Sequence, residues 1–566
     1  MTAPAPEDRG YLIIDRRPGG PAYARKLEAS LASLQSLGWR RDLEIDGIEV
    51  WLGPRSRLKA VQVHRRHILI GVWRGARALS SLIGESRTAA EIAGRAVDQG
   101  WGRYVLAWVD DASDALALLR DPSGALDCMW WRTDGLTFVT CEPPPALDPL
   151  WPDQVGIDWE TLGAFLGDPA VIADRLAVRG LNALRPGQLT LTGDHPRSME
   201  MWSPARFCAS RRQWDDDPEA LKAIVDRTTA ILVSDHSRLI GELSGGLDSA
   251  LVAAALAASG RSDGAEFVNY YGAWPEGDER SYAGEVADAL GMRVTFAKKV
   301  ADGVTAEQIM SLGRPIRPGL NGLDVAYDWD MADRIEAAGA TAVLSGQGGD
   351  AVFQQAADPN IIVDRWRRLG PRALAPRTLT RMAQWTGTSA WSLAHRAVTS
   401  GADEPLPPAK AGQVRALANA QLFWGDSLRG RRAELLQPLL TQPVMEHCLS
   451  IPVDVLTQGV RDRALARQAY SARLPRQVAE RRGKGDLTQH YAKVVRASLP
   501  VLRPFILEGE LAGHRLIDVV EMDRNLQETA LIRRPASNRL LIVAALEAWA
   551  RNWQVRVQRR RRDITV

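Results

Sequence analysis

Strand-like and helix-like segments alternate between residues 218 and 345, and this alternation constrains the fold more than any other feature of the sequence. Short apolar runs are each followed by a stretch with helical periodicity. Strands that alternate with helices are typical of βαβ units, in which the strands run parallel and the helices cover the sheet. The predicted segments are helix 218–234, strand 238–243, helix 249–259, strand 265–271, helix 279–290, strand 292–297, helix 326–339 and strand 341–345.

The N-terminal part, residues 11–205, has a different pattern. Short apolar runs separated by turn signals predict a β-rich layer, with helices at about 22–37, 88–99 and 159–167. After about residue 350 the pattern is mostly helical. We therefore predict an α/β protein with two domains, 1–210 and 211–566. The strands predicted for the first domain are Tyr11–Asp15, Ile48–Leu52, His67–Trp73, Tyr104–Val109, Ala115–Arg120, Met129–Arg132, Leu136–Cys141 and Gln188–Leu191.

The composition is that of an ordinary globular protein, with 45% hydrophobic residues, 25% charged residues and a net charge of +3. So small a charge gives no reason to expect nucleic acid as a partner. No apolar run has the length of a transmembrane helix, and the first residues lack the apolar segment of a signal peptide. The four cysteines form no CxxC pair and predict reduced thiols. We expect a cytoplasmic protein with no membrane partner and a solvated basic tail at 559–562.

A glycine-rich loop, Ser-Gly-Gly-Leu-Asp-Ser at residues 244–249, separates a predicted strand from its helix. Backbone N–H groups and the helix N-terminus converge in such a loop and form a phosphate site. Ser244 and Ser249 add hydroxyl donors, and Asp248 is suited to hold Mg²⁺ against phosphate oxygens. The loop has no lysine and is not a Walker A motif. It suits pyrophosphate as the leaving group and therefore predicts adenylation.

A second loop, Ser-Gly-Gln-Gly-Gly-Asp at 345–350, follows the last predicted strand. Ligands of an open α/β sheet bind at the carboxyl ends of its strands, so both loops are expected on one edge. Asp248 and Asp350 would then share Mg²⁺ bound to a triphosphate, unless Asp350 is only a helix N-cap. In Arg-Arg-Gly-Lys-Gly-Asp at 481–486, Lys484 is either a surface residue or a compact charge that stabilises the departing anion.

These motifs, in this order, resemble the asparagine synthetase superfamily. Tyr104–Trp108 and the segments 120–124 and 185–187 are similar to landmarks of its glutaminase domain, an α+β sandwich of the Ntn type. The resemblance implies a C-terminal synthetase domain with a parallel sheet like that of the adenine-nucleotide α-hydrolases and helical additions. It also implies ATP and Mg²⁺, adenylation of a carboxylate and attack by an amine. Matching the motifs assigns nucleotide contacts to Leu243, Ser244, Gly245, Gly246, Asp248, Ser249, Ser345, Gly346 and Gln347, metal binding to Asp248 and Asp350, and catalytic roles to Lys484, Asp350 and Asp248.

Two departures from the family pattern narrow the expected reaction. Glutamine-using relatives carry an N-terminal cysteine nucleophile. This sequence begins Met-Thr-Ala-Pro and its first cysteine is Cys128, so we expect no glutaminase activity. Gln347 stands where asparagine-forming relatives have an acidic residue and β-lactam-forming relatives a tyrosine, and an amide cannot act as a base.

The Gly-Gln-Gly-Gly-Asp form of the second loop is similar to that of lasso-peptide cyclases. In that branch the acyl group is an Asp or Glu side chain of a short peptide, and the nucleophile is the α-amine of the same peptide. With a pKa near 8, about a tenth of such an amine is neutral at pH 7. The need for a strong base on the enzyme is correspondingly small.

The leading hypothesis is therefore a lasso-peptide macrolactam synthetase. It would adenylate an Asp or Glu side chain of a core peptide and close an isopeptide ring. The resemblance implies a precursor peptide as partner, with a leader peptidase and a leader-binding protein of the same pathway. An asparagine or β-lactam synthetase acting on a small molecule, and a non-catalytic nucleotide-binding scaffold, remain alternatives. Trp366, Trp385, Trp391 and Trp424 are either peptide contacts or core aromatics.

Overall fold

The structure, a computed structural model, describes residues 5–17, 24–208, 214–272, 277–400, 405–483, 485, 488–527 and 537–565. Antiparallel sheets form the N-terminal part, and one parallel sheet with many helices forms the C-terminal part. The strands are β1 (Tyr11–Asp15), β2 (Arg40–Ile45), β3 (Ile48–Leu52), β4 (Ala60–His64), β5 (His67–Gly75), β6 (Gly100–Val109), β7 (Leu116–Arg120), β8 (Met129–Thr133), β9 (Leu136–Thr140), β10 (Gly156–Ile157), β11 (Val178–Arg179), β12 (Asn182–Ala183), β13 (Gln188–Leu191), β14 (Arg197–Glu200), β15 (Leu239–Glu242), β16 (Ala265–Tyr271), β17 (Val294–Lys298), β18 (Ala342–Leu344) and β19 (Glu434–Leu436).

The helices cover the sheets and make up most of the chain beyond β18. They are α1 (Ala24–Ser36), α2 (Leu79–Gly84), α3 (Ala89–Asp98), α4 (Trp159–Gly167), α5 (Pro204–Cys208), α6 (Pro218–Val233), α7 (Leu247–Ala258), α8 (Arg280–Leu290), α9 (Ala306–Leu312), α10 (Val325–Ala338), α11 (Gly349–Val352), α12 (Ile361–Leu369), α13 (Pro376–Thr386), α14 (Ala390–Thr399), α15 (Pro408–Gln421), α16 (Leu428–Arg432), α17 (Gln442–Ser450), α18 (Val453–Leu456), α19 (Ala464–Tyr470), α20 (Arg476–Ala479), α21 (Thr488–Leu507), α22 (Glu510–Gly513), α23 (Val519–Asn525) and α24 (Ser537–Thr565).

Two six-stranded antiparallel sheets, in the orders β12-β8-β9-β1-β3-β2 and β14-β13-β7-β6-β5-β4, pack face to face. Side chains alternate between the faces of a strand, and β1 shows the result. Tyr11 and Ile13 pack in the core between the sheets with Val105 of β6. Leu12 and Ile14 face outward into the core that contains α1. With α2 and α3 on the other sheet, the layers are helix, sheet, sheet, helix, which is the α+β sandwich expected from the sequence.

Every strand predicted for the sandwich is present, but four strands of its two six-stranded sheets were missed, as was the two-stranded pair of β10 and β11. β2, β4, β12 and β14 lie at the edges of these sheets and are largely exposed. Most of their exposed side chains are polar, so they lack the apolar alternation by which a half-buried strand is recognised. Edge strands are commonly kept polar because their unpaired backbone groups invite pairing with another chain.

The parallel sheet has the order β17-β16-β15-β18-β19 and confirms the α/β class. The chain proceeds from β15 through β16 to β17 on one side, and β18 lies on the other side of β15. The strand order therefore reverses between β15 and β18. A ligand of an open α/β sheet binds at such a switch point, beyond the carboxyl ends of the strands. The loops 244–249 and 345–350 leave the sheet at this point.

β19 was not predicted, because it is three residues long and lies in the helical part of the sequence. It pairs in parallel with β18 along 434–436 and forms the edge of the sheet. Among the described residues, no helix is long and apolar enough to cross a membrane.

Helix α24 returns to the N-terminal sandwich and shares a core with it. Its Trp553 stacks on Trp151 with ring centroids 5.8 Å apart. The solvated tail expected at 559–562 is wrong for Arg560, which is 1% exposed. Arg560 donates to the Trp151 carbonyl (2.9 Å) and pairs with Asp153 (3.0 Å). A sequence pattern of consecutive arginines does not reveal that one of them meets an acceptor on a distant segment.

Candidate active site

The first loop, 244–249, is held in shape by its two serines. The Ser244 hydroxyl accepts a hydrogen bond from the Gly246 N–H (3.3 Å) and lies 3.1 Å from the Ser249 hydroxyl. Ser249 in turn donates to the Gly246 carbonyl (3.1 Å). Gly245 has a φ of +80°, which side-chain-bearing residues rarely adopt. The tight turn follows directly from this sequence of small residues.

The loop ends at the N-terminus of α7. The helix begins at Leu247, and its N-cap residue, Gly246, offers no side-chain cap. The first N–H groups of a helix have no partner within the helix and carry partial positive charge. They are therefore open to an anion, as the sequence predicted for a phosphate site.

The second loop, 345–350, packs directly against the first. A Cβ on Gly346 would lie 2.4 Å from the backbone nitrogen of Ser249, and a Cβ on Gly349 would lie 2.4 Å from the Asp248 carboxyl carbon. The Ser345 N–H donates to the Leu436 carbonyl of β19 (3.1 Å). Only glycines allow this approach, so the two motifs found in the sequence form one site.

Asp248 and Asp350 converge on one guanidinium group. Arg463 Nη1 lies 2.8 Å from a carboxylate oxygen of each residue, and Nη2 is 2.9 Å from Asp462. Arg463 has a φ of +50° and donates its N–H to the Gln354 carbonyl (3.1 Å). Burial disfavours its charge, but Asp248, Asp350 and Asp462 outweigh this and raise the pKa of Arg463.

Arg463 was missed in the sequence analysis. It is one of 71 basic residues, and its partner Asp248 lies 215 positions away. Only the fold brings them together. The helix N-cap alternative for Asp350 is wrong, because α11 is capped by Gly348 and Asp350 lies in the first turn.

The carboxylates of Asp248 and Asp350 fit a magnesium ion that is bound together with phosphates. Mg²⁺ in such sites takes one or two carboxylates and completes its shell with water and phosphate oxygens. No group of three or more His, Cys, Asp or Glu side chains in the described part of the chain is placed to hold a metal ion. The donor set therefore suits an ion that arrives with a nucleotide.

Lys484 lies outside the described residues, but the residues around it are anchored to the first loop. Arg481 pairs with Glu279 (2.5 Å) and donates to the Gly245 carbonyl (3.3 Å). The Gly485 N–H also donates to Glu279 (3.0 Å). Glu279 therefore holds both Arg481 and Gly485, and Arg481 contacts the first loop.

The cysteine thiols of the sandwich are unsuited to nucleophilic attack. All four cysteines of the chain are free. Burial raises the pKa of both Cys128 and Cys141 to about 12, so both are protonated at neutral pH. The described part of the sandwich therefore contains no activated thiol.

The four tryptophans singled out in the sequence have different surroundings. Trp366 and Trp385 pack against a small helical core formed by α12, α13 and α14. Trp391 is 79% exposed. Trp424 lines a cavity next to the sandwich. They do not form one continuous surface, and none lies in the two loops.

Two glycine loops at the switch point of a parallel sheet, with paired carboxylates, define an α/β nucleotide-binding synthetase. A family model described as asparagine synthase matches residues 221–551, which is more than half of the chain. The chain therefore belongs to the asparagine synthase family. This makes it an ATP-dependent carbon–nitrogen ligase that forms AMP.

A search of curated proteins finds no match. Among solved structures, the allosteric regulatory enzyme of purine biosynthesis is similar at 10% identity and a TM-score of 0.21, covering 52% of this chain and 81% of that one. The second is the glutamine phosphoribosylpyrophosphate amidotransferase from B. subtilis complexed with ADP and GMP, at 11% identity and a TM-score of 0.21, covering 51% of this chain and 65% of that one. Likenesses this remote say nothing about the substrate.

Proposed function

We propose that this chain is a lasso-peptide macrolactam synthetase. In the first step, an oxygen of an Asp or Glu side chain in a core peptide attacks the α-phosphorus of ATP, and pyrophosphate leaves. In the second step, the α-amine of the peptide attacks the acyl carbon, and AMP leaves as the nitrogen loses a proton to solvent. The peptide loses one water overall, and ATP is converted to AMP and pyrophosphate.

The observation that carries the proposal is Gln347 in the second loop. Gln347 lies two residues after Ser345 and three residues before Asp350. The Ser345 hydroxyl accepts a hydrogen bond from the Gln347 N–H (3.3 Å). Relatives that activate an amine place a titratable side chain at this position, and an amide does not titrate. An amine that is already partly neutral near pH 7 needs no base at this position. A peptide α-amine meets this condition far better than a lysine side chain, with pKa values of about 8 and about 10.4.

The buried thiols support the same conclusion from the other half of the chain. Cys128 and Cys141 remain protonated near neutral pH, so neither supplies a thiolate for releasing ammonia from glutamine. An amine supplied by the substrate itself removes the need for that reaction. Peptide cyclisation is a reaction in which acyl group and amine belong to one molecule.

The site residues take the following roles in the proposed reaction. The loop N–H groups and the hydroxyls of Ser244 and Ser249 bind the phosphates. Asp248 and Asp350 would hold Mg²⁺, which neutralises phosphate charge when bound. Lys484 stabilises negative charge in the adenylation and ring-closing transition states. We further propose a precursor peptide as partner, delivered by a leader-binding protein and a leader peptidase.

The test is incubation of the purified protein with ATP, Mg²⁺ and synthetic peptides that begin with Gly, Ala or Ser and carry an acidic residue at the seventh to ninth position. We expect AMP formation and a mass loss of one water. Matched peptides with an acetylated N-terminus, or with Asn or Gln in place of the acidic residue, should not cyclise. AMP formation with free aspartate alone would refute the proposal in favour of a small-molecule synthetase.

A further inference from the structure

A cavity of about 870 Å³ lies between the sandwich and the parallel sheet. Its lining includes residues at the amino ends of three parallel strands, namely Ser237 before β15, Thr341 before β18 and Glu434 in β19. The loops 244–249 and 345–350 follow the opposite ends of β15 and β18. The cavity is therefore separate from the proposed nucleotide site, and its volume lies within the range of ligand pockets, about 300–1,000 Å³.

Positive charges without acidic partners face this cavity. Arg9 donates to the Gly430 carbonyl (2.7 Å) and Arg57 to the Thr341 carbonyl (3.1 Å), and both acceptors are neutral. Lys59 also lines the cavity. Within the described ranges, none of these three cations forms an ion pair. A guanidinium bound to one carbonyl keeps N–H groups that fit a carboxylate.

The arginines are close enough to repel one another. Burial, followed by repulsion from Arg103 and Arg57, lowers the pKa of Arg9 to about 10. Glu434 offsets part of this charge through its ion pair with Arg103 (3.2 Å). Four further carboxylates line the cavity: Asp127, Asp235 and Asp426 are paired with arginines, and Glu142 accepts the Ile316 N–H. Within the described chain, Arg9, Arg57 and Lys59 therefore remain as lining cations outside any ion pair, and an anionic ligand would neutralise them.

We propose that this cavity binds an acidic peptide segment, with a carboxylate against Arg9 and Arg57. The lining runs along β19 to Leu436, whose carbonyl accepts the Ser345 N–H, so the cavity reaches the strand that supports the second loop. The inference deepens the proposed function, on which it rests for the expectation that the substrate is a peptide. It assigns the sandwich a role in holding that peptide.

The experiment measures binding of a fluorescein-labelled, acetylated and amidated hexapeptide with two glutamates by fluorescence anisotropy. Arg57→Glu removes a cavity cation, and Arg55→Glu makes the same charge change two residues away, at a position that is exposed and outside the lining. We expect about tenfold weaker binding for Arg57→Glu and little change for Arg55→Glu, since a charge-assisted hydrogen bond is lost only in the first. The matched glutamine peptide should bind about tenfold more weakly to the unaltered protein.

Equal binding of the glutamate and glutamine peptides, or equal effects of the two substitutions, would overturn the inference. Displacement of the peptide by an equal concentration of inorganic phosphate would also overturn it, because the cavity would then be a simple oxyanion site. Cyclisation is measured on the same samples. Arg57-dependent peptide binding without AMP formation from any core peptide would refute the macrolactam function but not the peptide-binding cavity. Ring closure without binding of the acidic hexapeptide would refute the peptide-binding cavity but not the macrolactam function.

Discussion

Replacement of Arg463 by methionine tests the charge balance at the centre of the site. Arg463 has a 6% exposed side chain, and Asp248 is 8% exposed, so the substitution removes a buried ion pair from one side. Breaking a buried ion pair from one side costs about 3–5 kcal/mol. The Asp350 side chain is 44% exposed, and its pair contributes no more than a surface pair, about 0–1 kcal/mol. We expect the free energy of unfolding to fall by about 3 kcal/mol. Thermal unfolding in the presence of EDTA should show this as a fall in Tm of a few degrees.

Added Mg²⁺ should raise the stability of the same variant. Without the guanidinium, Mg²⁺ has one cation fewer to compete with at the two carboxylates, and a ligand at ten times its Kd stabilises the folded state by about 1.4 kcal/mol. We expect millimolar Mg²⁺ without ATP to raise the Tm of Arg463→Met but not that of the unaltered protein. Arg476→Met is the control, because its side chain is 86% exposed and its one ion pair among the described residues is with Glu480, directly after its own helix. An equal Tm for both variants in EDTA, or an equal response of all three proteins to Mg²⁺, would refute the reasoning.

Three further predictions concern the loops and the helical core. Lys484→Ala should abolish ring closure while ATP binding, followed by equilibrium dialysis, is retained; unchanged turnover would contradict its assigned role. Gly346→Ala places a Cβ 2.4 Å from the Ser249 nitrogen and should weaken ATP binding more than tenfold, whereas Gly513→Ala, with open space around it, should not. Burial raises the pKa of Asp364 from 3.8 to about 7, so the folded state binds more protons there than the unfolded state and loses stability as pH rises between these values. Asp364→Asn should therefore gain in Tm relative to the unaltered protein across that window, and a constant difference in Tm would count against this assignment.

The parts of the fold that the sequence predicted are those with local signals. β1 and its neighbours are short apolar runs bounded by turn signals, and the loops at 244–249 and 345–350 join a strand to a helix through glycines. In both cases, the residues that predict the element belong to the element or lie within a few residues of it. The confirmed α/β class and the position of both loops on one sheet edge followed from them.

The parts that were missed depend on contacts between distant segments. Arg463 is recognisable only when the fold places it between Asp248 and Asp350, and β19 only when β18 lies beside it. In the sequence, Arg560 belongs to a run of arginines. Only the fold brings it to its acceptor, the Trp151 carbonyl. Each case is a polar group whose partner is set by tertiary structure, and no local pattern encodes such a partner. The role of Lys484 stays a prediction.

The return of α24 to the sandwich has a consequence for how the two halves depend on each other. Trp549 and Trp553 are fully buried in a core to which β1 and β9 contribute, and Arg556 pairs with Asp148. Deleting the sandwich would expose this face of the helix to water, and the synthetase half would lose part of its own interior. The sandwich therefore contributes to the folding of the synthetase half, whatever chemistry it performs itself.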